Sequence, residues 1–437
     1  MKGPLYRAAK PIVERLRAAG FEAYFVGGCV RDWVMGRDPK DIDVATSARP
    51  QQVQKLFRRT IPVGVQFGVV LVREGGEEFE VATFRADGEY LDGRRPTTVH
   101  FCDAKADVER RDFTINGMLY DPVTEQVIDY VGGQQDIAHR VIRCIGEPAE
   151  RFEEDKLRLM RAVRFACGLG FDIEPATLGA AKRAASQIAV VSAERIRDEL
   201  LRILTEGGAT RGIELLADMG VLEVILPEVA AMAGVPQPPE YHPEGDVLTH
   251  TLLALSHMES PSPELAMAVL LHDVGKPVTI THDDRIRFNG HDVKGAAMAR
   301  TICRRLKLSN AQTDAIEWIV LNHMRIAFAP EMRLNKLKRL LREEHFSDLL
   351  QMHRLDCIAS HGRMGVWDFC RSKLEELSPE VLKPRPLLGG RELIEMGYKP
   401  GPAFKAMLEA VETAQLEGEI ATREAAEQLV RERFPRS

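Results

Sequence analysis

The chain has 437 residues, 45% of them hydrophobic, which is too many for one compact core and enough for about two to four domains. Its net charge of −6 gives no overall sign of nucleic-acid binding, although arginines cluster locally. Charges and glycines break the apolar runs well short of a membrane span. The N-terminal stretch MKGPLYRAAKPIVERLRAAGF has the pattern of an amphipathic helix and not of a signal peptide, so we expect a soluble cytoplasmic protein.

Residues 1–145 alternate short strand patterns with helical ones. AYFVGGCV predicts a strand that ends in a glycine turn, and DIDVAT, FGVVLV and FEVATFR predict three further strands. The polar, glycine-bearing stretch at 86–101 predicts a mobile loop. These patterns indicate a small α+β domain at the start of the chain.

The rest of the chain has helical periodicity. The helical pattern from about 150 to 225 is followed by GVPQPPEYHPEGD at 234–246, whose prolines predict a linker. A helical region then extends to about 375. It is rich in histidine, since ten of the twelve histidines of the chain lie at or beyond position 242. Seven scattered cysteines without a Cys-x-x-Cys pair predict reduced thiols.

The segment GGCVRDWVMGRDPKDIDVAT begins at Gly27 and contains two carboxylates in an Asp-x-Asp pattern. On a strand, Asp41 and Asp43 point to the same face and repel each other, which a shared divalent cation would relieve. Gly28 lets backbone N–H groups approach a phosphate, and Arg31 adds charge-assisted hydrogen bonds. The segment therefore indicates a triphosphate cradle beside a magnesium site. The alternative is that both aspartates lie on a solvated strand end.

Two further segments carry charged residues with a pattern suited to nucleotides. In RRDFTINGMLY, Arg111 could reach phosphates and Asp112 could accept from a ribose hydroxyl; the alternative is an ion-paired helix start. In RFEEDKLRLMRAVRFA, one predicted helix carries an aspartate and three arginines on one side, which could present a hydrogen-bonding edge to a base. These four are Asp155, Arg158, Arg161 and Arg164. The alternative is an exposed, salt-bridged helix face.

In these motifs, and in VIDYVGGQQDI and SAERIRDELLRIL, the sequence resembles the class II tRNA nucleotidyltransferase and bacterial poly(A) polymerase family of the DNA polymerase β-like superfamily. The motifs occur in the family's order across residues 24–204. The resemblance implies an α+β fold, in which a polymerase β-like head with a small mixed sheet precedes an all-α neck, an HD-type body and a tail. The implied boundaries are 1–145 for the head, 146–233 for the neck, 234–375 for the HD-type domain and 376–437 for the tail.

The resemblance also implies the role of each matching residue. Asp41 and Asp43 would bind Mg²⁺ and be catalytic. The triphosphate and ribose would be held by Gly28, Arg31, Arg111 and Asp112. The base of CTP or ATP would be read by Asp155 and Arg158, supported by Arg161 and Arg164. The loop at 86–101 would help the switch from C to A.

The histidine-rich region resembles the HD phosphohydrolase superfamily in the motif LLHDVGK. By this resemblance one metal would be bound by His250, His272, Asp273 and Asp356. His291 and His323 would line the site or hold a second metal. Imidazole and carboxylate ligands suit Mn, Ni or Fe. The alternative is a vestigial helical body that only binds RNA.

Four functions follow as hypotheses. The first is addition of CCA, or its C or A part, to the 3′ end of tRNA from CTP and ATP; the second is a poly(A) polymerase or an A-adding enzyme. The third is a phosphohydrolase whose first half only binds RNA, and the fourth is a non-enzymatic RNA-binding factor. The complete set of acidic and basic residues in the first half favours the first two. The expected partners are tRNA, CTP and ATP, with no membrane and no evident obligate protein partner.

Overall fold

The computed structural model of the chain describes residues 3–64, 68–87, 99–282 and 285–436. The chain divides into two compact units, Met1–Ala230 and Ala231–Ser437. No helix among the described residues is long and apolar enough to cross a bilayer. All seven cysteines lie in the described ranges and are free thiols, as the sequence predicted.

The first unit is built on a mixed sheet near its N-terminus. Within the described residues its seven strands have the order β3-β4-β5-β2-β1-β8-β9. The bounds are β1 Ala23–Val26, β2 Asp43–Thr46, β3 Thr60–Gly64, β4 Val69–Glu74, β5 Glu77–Thr83, β8 Met118–Asp121 and β9 Gln126–Asp129. A separate pair contains β6 Arg85–Asp87 and β7 Val99–Phe101. Only β2 and β5 pair in parallel; the other pairs of the large sheet are antiparallel.

Helices cover this sheet and then continue alone to the end of the unit. The first helix buries Ile12, Val13 and Leu16 in a core with Phe25 and Phe79 from the strands, and such burial of apolar area drives the assembly. The helices are α1 Pro4–Ala18, α2 Gly28–Val34, α3 Pro50–Leu56, α4 Ala104–Glu109, α5 Gly133–His139, α6 Pro148–Glu154, α7 Arg158–Leu169, α8 Pro175–Ala184, α9 Ala193–Thr205, α10 Ala209–Asp218, α11 Leu222–Ile225 and α12 Pro227–Ala230. A short parallel pair lies among them, β10 Val141–Ile142 and β11 Asp172–Ile173.

The second unit is helical apart from a small hairpin, β12 Thr281–His282 and β13 Ile286–Arg287. Its central helix α14 is buried at every position from Leu265 to Leu271, as expected for a helix that is apolar on all sides. The helices are α13 Val247–Ser256, α14 Pro263–Leu271, α15 Lys276–Thr279, α16 His291–Arg305, α17 Asn310–Asn322, α18 Leu334–Leu341, α19 Phe346–Ala359, α20 Gly365–Glu376, α21 Pro379–Leu382, α22 Gly390–Glu395, α23 Ala403–Glu417 and α24 Arg423–Arg433. The last three share an apolar cluster that includes Leu393, Met407 and Val430.

The predicted α+β class is confirmed, and two local predictions are wrong. The single helix predicted for 151–166 is broken, because Asp155 is extended (φ −140°, ψ 105°) and separates α6 from α7. The stretch at 234–246 is not a free linker, since it packs within the second unit and buries Gln237. Most of the loop predicted at 86–101 lies outside the described residues.

Candidate active sites

The two aspartates of the glycine-turn segment lie at the start of β2. Asp43 is the first residue of the strand and pairs with Val26 at the end of β1, while Asp41 precedes the strand and is exposed. The parallel register of Val44 with Val81 brings Glu80 of β5 beside Asp43. Burial, Glu80 and Asp41 together raise the pKa of Asp43 to about 6. Asp43 and these two neighbouring carboxylates offer oxygen donors of the kind that a divalent cation prefers.

The glycine turn leaves the space beside these carboxylates open. Gly27 has a φ of +81°, and a Cβ at this position would lie 3.7 Å from Arg111 Nη1 and 3.8 Å from Asp43 Oδ2. A larger side chain would therefore be strained and would fill the gap between arginine and carboxylate. The next helix starts at Gly28 and carries Arg31, whose Nη1 donates to Asn116 Oδ1 at 3.0 Å.

Asp107, a buried acid of α4, orients the two arginines that directly follow this helix. Asp107 of α4 is 1% exposed and accepts from Arg110 Nη2 at 2.7 Å and from Arg111 Nη2 at 3.0 Å. Burial opposes ionisation of Asp107, but the two guanidinium groups outweigh it, so the pKa of this carboxyl is lowered. Arg111 is thus fixed beside Gly27.

The arginine row of α7 is held by acids from outside its own helix. Arg161 donates from Nε to Asp112 Oδ2 at 2.8 Å, and Arg164 donates from Nε to Glu199 Oε2 of α9 at 2.6 Å. Both guanidinium groups also lie over the ring of Phe165, at 5.3 and 4.2 Å from its centroid. Asp112 is 8% exposed and its pKa is lowered, since the attraction of Arg161 outweighs its burial.

Asp155 and Arg158 lie at the break between α6 and α7. The Asp155 carboxylate accepts from both terminal nitrogens of Arg195 on α9, at 3.1 and 2.7 Å, and from the Leu157 N–H at 3.0 Å. Arg158 pairs with Glu154 at 2.5 Å. The local hydrogen bond to Leu157 explains the break, because an aspartate that binds the backbone two residues ahead competes with the helix.

One cavity of about 730 Å³ collects every residue that the sequence assigned to nucleotide chemistry. Its lining includes Gly28, Arg31, Asp41, Asp43, Arg111, Asp112, Asp155, Arg158, Arg161 and Arg164. The sequence did not identify the residues that orient them, namely Asp107, Arg195 and Glu199. The motif SAERIRDELLRIL was the only signal for the last two, through their i, i+4 spacing on one helix face.

The second unit contains a cluster of four buried histidines. Three of them use Nδ1 to donate to the carbonyl three residues earlier: His272 to Val269 at 2.8 Å, His291 to Phe288 at 2.7 Å and His323 to Val320 at 2.6 Å. A carbonyl only accepts, so each of these Nδ1 atoms carries the proton and each Nε2 offers a lone pair.

The Nε2 atoms of the cluster face one another in pairs. His272 Nε2 lies 3.3 Å from His250 Nε2, and His291 Nε2 lies 3.2 Å from His323 Nε2. Asp273 lies between the pairs, with Oδ2 3.3 Å from His272 Nε2 and Oδ1 3.6 Å from His291 Nε2. Facing imidazole nitrogens and a shared carboxylate are a donor set that fits one or two metal ions.

Burial and neighbouring charged groups shift the pKa values of two histidines in the cluster. Burial lowers the pKa of His250, but hydrogen bonds to Asp356 at 3.0 Å and to Glu244 at 2.6 Å outweigh it and raise this pKa to about 9. Burial and the neighbouring His272 lower the pKa of His323 to about 4, so its imidazole is neutral at pH 7. Lys276, the last residue of the LLHDVGK motif, lies 2.6 Å from Asp273 Oδ2. A second cavity, of about 680 Å³, is lined by Asp273, Lys276, His291, His323 and Asp356.

Comparison with known protein families agrees with both sites. Residues 23–143 match the "Poly A polymerase head domain", residues 170–232 match the "Probable RNA and SrmB- binding site of polymerase A", and residues 247–376 match the "HD domain". The chain thus combines a poly(A) polymerase-type head with an RNA-binding region and an HD domain. Both domain types imply divalent metals, and among the described residues the side-chain groups close enough to share one ion lie in the second unit.

Individual relatives refine this class. The CCA-adding enzyme of Streptococcus suis is 44% identical over 226 residues, which are 52% of this chain and 56% of that enzyme; the one of Staphylococcus saprophyticus is 47% identical over 208 residues, 47% of this chain and 52% of that enzyme. The matches thus span about half the length of these curated relatives. A crystal structure of the Bacillus stearothermophilus CCA-adding enzyme in complex with CTP superposes with a TM-score of 0.77 at 29% identity, covering 99% of this chain and 98% of that one. The chain is thus similar to CCA-adding enzymes, over about half its length in sequence and over nearly its whole length in fold.

Proposed function

We propose that the first cavity adds CCA, or its C or A part, to the 3′ end of tRNA from CTP and ATP and releases pyrophosphate. The observation that carries this proposal is the convergence of acidic cluster, glycine turn and arginine row on one cavity. The similarity over nearly the whole chain to a CCA-adding enzyme in complex with CTP supports it. The alternative within the family is a poly(A) polymerase or an A-adding tRNA nucleotidyltransferase.

Each group in the cavity has a distinct role in this proposal. Asp41 and Asp43 hold Mg²⁺, which when bound activates the RNA 3′-hydroxyl and stabilises the leaving pyrophosphate. Gly28, Arg31 and Arg111 hold the triphosphate by backbone N–H groups and guanidinium charge. The protein contributes positioning and charge stabilisation, with no covalent intermediate.

The remaining residues recognise the nucleoside. Asp155 and Arg158 pair with the base of CTP or ATP, and Arg161 and Arg164 support them. For Asp112 we retain the ribose role that the family resemblance implies, although its Oδ2 is already paired with Arg161. Binding of a ribose hydroxyl by Asp112 would therefore share or displace that ion pair.

Pyrophosphate release tests this proposal directly. The wild-type chain is incubated with Mg²⁺ and tRNA lacking its 3′ CCA, with CTP and ATP added separately and together. We expect pyrophosphate with CTP alone and further pyrophosphate when ATP is also present. No release with either nucleotide would contradict the proposal, while release from ATP on unrelated RNA would favour a poly(A) polymerase.

For the second cavity we propose a metal-dependent phosphohydrolase, because Asp273, His291 and His323 of the histidine cluster line it. His250, His272, Asp273 and Asp356 would hold one Mn, Ni or Fe ion, and His291 and His323 would line the site or hold a second. The bound metal would supply an activated water for attack on a phosphoester. We expect turnover of 2′,3′-cyclic nucleotides, 3′-phosphates or 5′-nucleotides with added metal, and its loss in His272→Ala. No turnover of any of these substrates by wild type would favour a vestigial body.

We further propose the domain limits given by the family resemblance: head 1–145, neck 146–233, HD-type domain 234–375 and tail 376–437. The neck and tail would bind tRNA. The proposed substrates, tRNA and nucleoside triphosphates, support a cytoplasmic location. No obligate protein partner is needed for this chemistry.

A further inference from the structure

The segment 234–246, which we call the strap, reaches the histidine cluster at two points. Gln237 is 4% exposed and its Oε1 accepts from Lys276 Nζ at 2.7 Å. Glu244 accepts through Oε1 from His250 Nδ1 at 2.6 Å and from His242 Nδ1 at 2.8 Å. The strap therefore contacts His250, and through Lys276 it contacts Asp273.

His250 differs from the other three histidines in how its ring is oriented. His272 and His323 follow the last residues of α14 and α17, and His291 is the first residue of α16. At each of these positions the carbonyl of the residue three places earlier in the chain accepts from Nδ1. His250 lies inside α13, and its Nδ1 donates to Glu244 instead of to its own backbone.

We propose that Glu244 is a positioning residue for the metal site of the second unit. By accepting from Nδ1–H it fixes the tautomer and the ring orientation of His250, so that Nε2 faces His272 and Asp356. An anionic acceptor also makes the imidazole a more basic ligand than a backbone carbonyl does. The proposal rests on the metal-dependent function proposed for this cavity.

Titration calorimetry with Mn²⁺ on the full chain tests the role of Glu244. We expect Glu244→Ala to weaken the tightest Mn²⁺ site by about 10- to 100-fold, the usual effect of removing such a partner of a ligand. Glu244→Gln should recover much of this loss, because its amide oxygen still accepts from Nδ1–H. The matched control is Glu259→Ala, an exposed acid of the same unit outside the cavity, which should change the affinity less than twofold.

The outcomes separate this proposal from the one on which it rests. Wild-type Mn²⁺ affinity in Glu244→Ala, with the affinity lost in His272→Ala, overturns the role of Glu244 alone. No Mn²⁺ binding by the wild type overturns both proposals. If Glu244→Ala does not fold, Glu244→Gln decides: we expect it to bind several-fold more weakly than wild type, and equal binding would contradict the proposal.

Discussion

The two cavities orient their functional groups in different ways. In the first, Arg161 and Arg164 are each fixed by an acid that is distant in sequence, Asp112 and Glu199 respectively. In the second, three of the four histidines are fixed by a carbonyl three residues away on their own backbone. The first site therefore depends on tertiary ion pairs, and the second is largely set by local helix geometry.

This difference has consequences for mutation. An arginine whose partner is removed becomes free to move, although the arginine itself is unchanged. A histidine whose Nδ1 donates to its own backbone has no side-chain partner at that atom to lose. We therefore expect positioning variants to damage the first site more broadly than the second, where His250 is the exception.

The largest effect is expected at the acidic cluster of the first site. Asp43→Asn should lower nucleotide addition by about a thousandfold or more, because an amide is a poor ligand for a metal that stabilises the developing charge. Rates of CTP addition to tRNA lacking its end measure the effect, and tRNA binding in a filter assay should persist. Addition at close to the wild-type rate would remove Asp43 from the metal site.

Base selection should be the next most sensitive property. Arg195→Ala removes two of the three hydrogen bonds to the Asp155 carboxylate and leaves the one from the Leu157 N–H, whereas Asp155→Ala removes the carboxylate itself. We expect each to raise incorporation of UTP and GTP relative to CTP and ATP, by roughly 1–3 kcal/mol of lost discrimination. The control Lys182→Ala breaks an exposed ion pair with Asp218 and should leave selection unchanged. A uniform loss of rate with unaltered selectivity would contradict the base-reading role.

A smaller effect is expected from the aromatic ring below the arginines. Phe165 has Arg31, Arg161 and Arg164 over its ring, so Phe165→Leu should weaken CTP binding about fivefold, as expected for lost cation–π contacts. Phe113, whose ring meets Phe165 edge-on at 5.8 Å, provides the matched control. Phe113→Leu should cost stability without this loss of affinity, and equal weakening in both variants would assign the effect to packing alone.

The smallest expected effect is the pH dependence of the stabilisation by Mg²⁺ at the first site. The raised pKa of Asp43 means that the folded chain takes up a proton there more readily than the unfolded chain, so this contribution to stability is lost as the pH rises through about 6. Mg²⁺ should therefore raise the melting temperature at pH 8 and have little effect at pH 5. His272→Ala is the background for this measurement, so that the second site does not contribute. Equal Mg²⁺ stabilisation at both pH values would contradict the three-carboxylate account.

The sequence predicted the residues that line the first cavity but not all of those that orient them. Asp41, Asp43 and the arginine row belong to short motifs whose spacing is visible along the chain. Arg195 and Glu244 act through contacts that depend on the packing of other elements. The spacing of Arg195 and Glu199 on one helix face does not show which residues they hold, and a lone acid in a proline-rich stretch gives no signal. For the same reason the break at Asp155 was missed, since helical periodicity continues across it and only its hydrogen bonds interrupt the helix.

The sheet was predicted only in part. Strands β1, β2, β4 and β5 contain apolar residues with few interruptions and were expected. Strand β3, Thr60–Gly64, was missed because its described side chains from Ile61 to Val63 are exposed, so that no buried face marks it in the sequence. Edge position and hydrogen bonding to β4 define this strand.

The sequence of the reaction products tests the central claim most directly. The wild-type chain is given tRNA without its 3′ CCA and, separately, tRNA ending in CC, each with CTP, with ATP and with both, and the extended ends are sequenced. Our account predicts two C residues from CTP alone, one A after CC when ATP is present, and no further extension. Long A tracts on unrelated RNA from ATP alone would contradict it in favour of a poly(A) polymerase, and addition restricted to tRNA ending in CC would make the chain an A-adding enzyme.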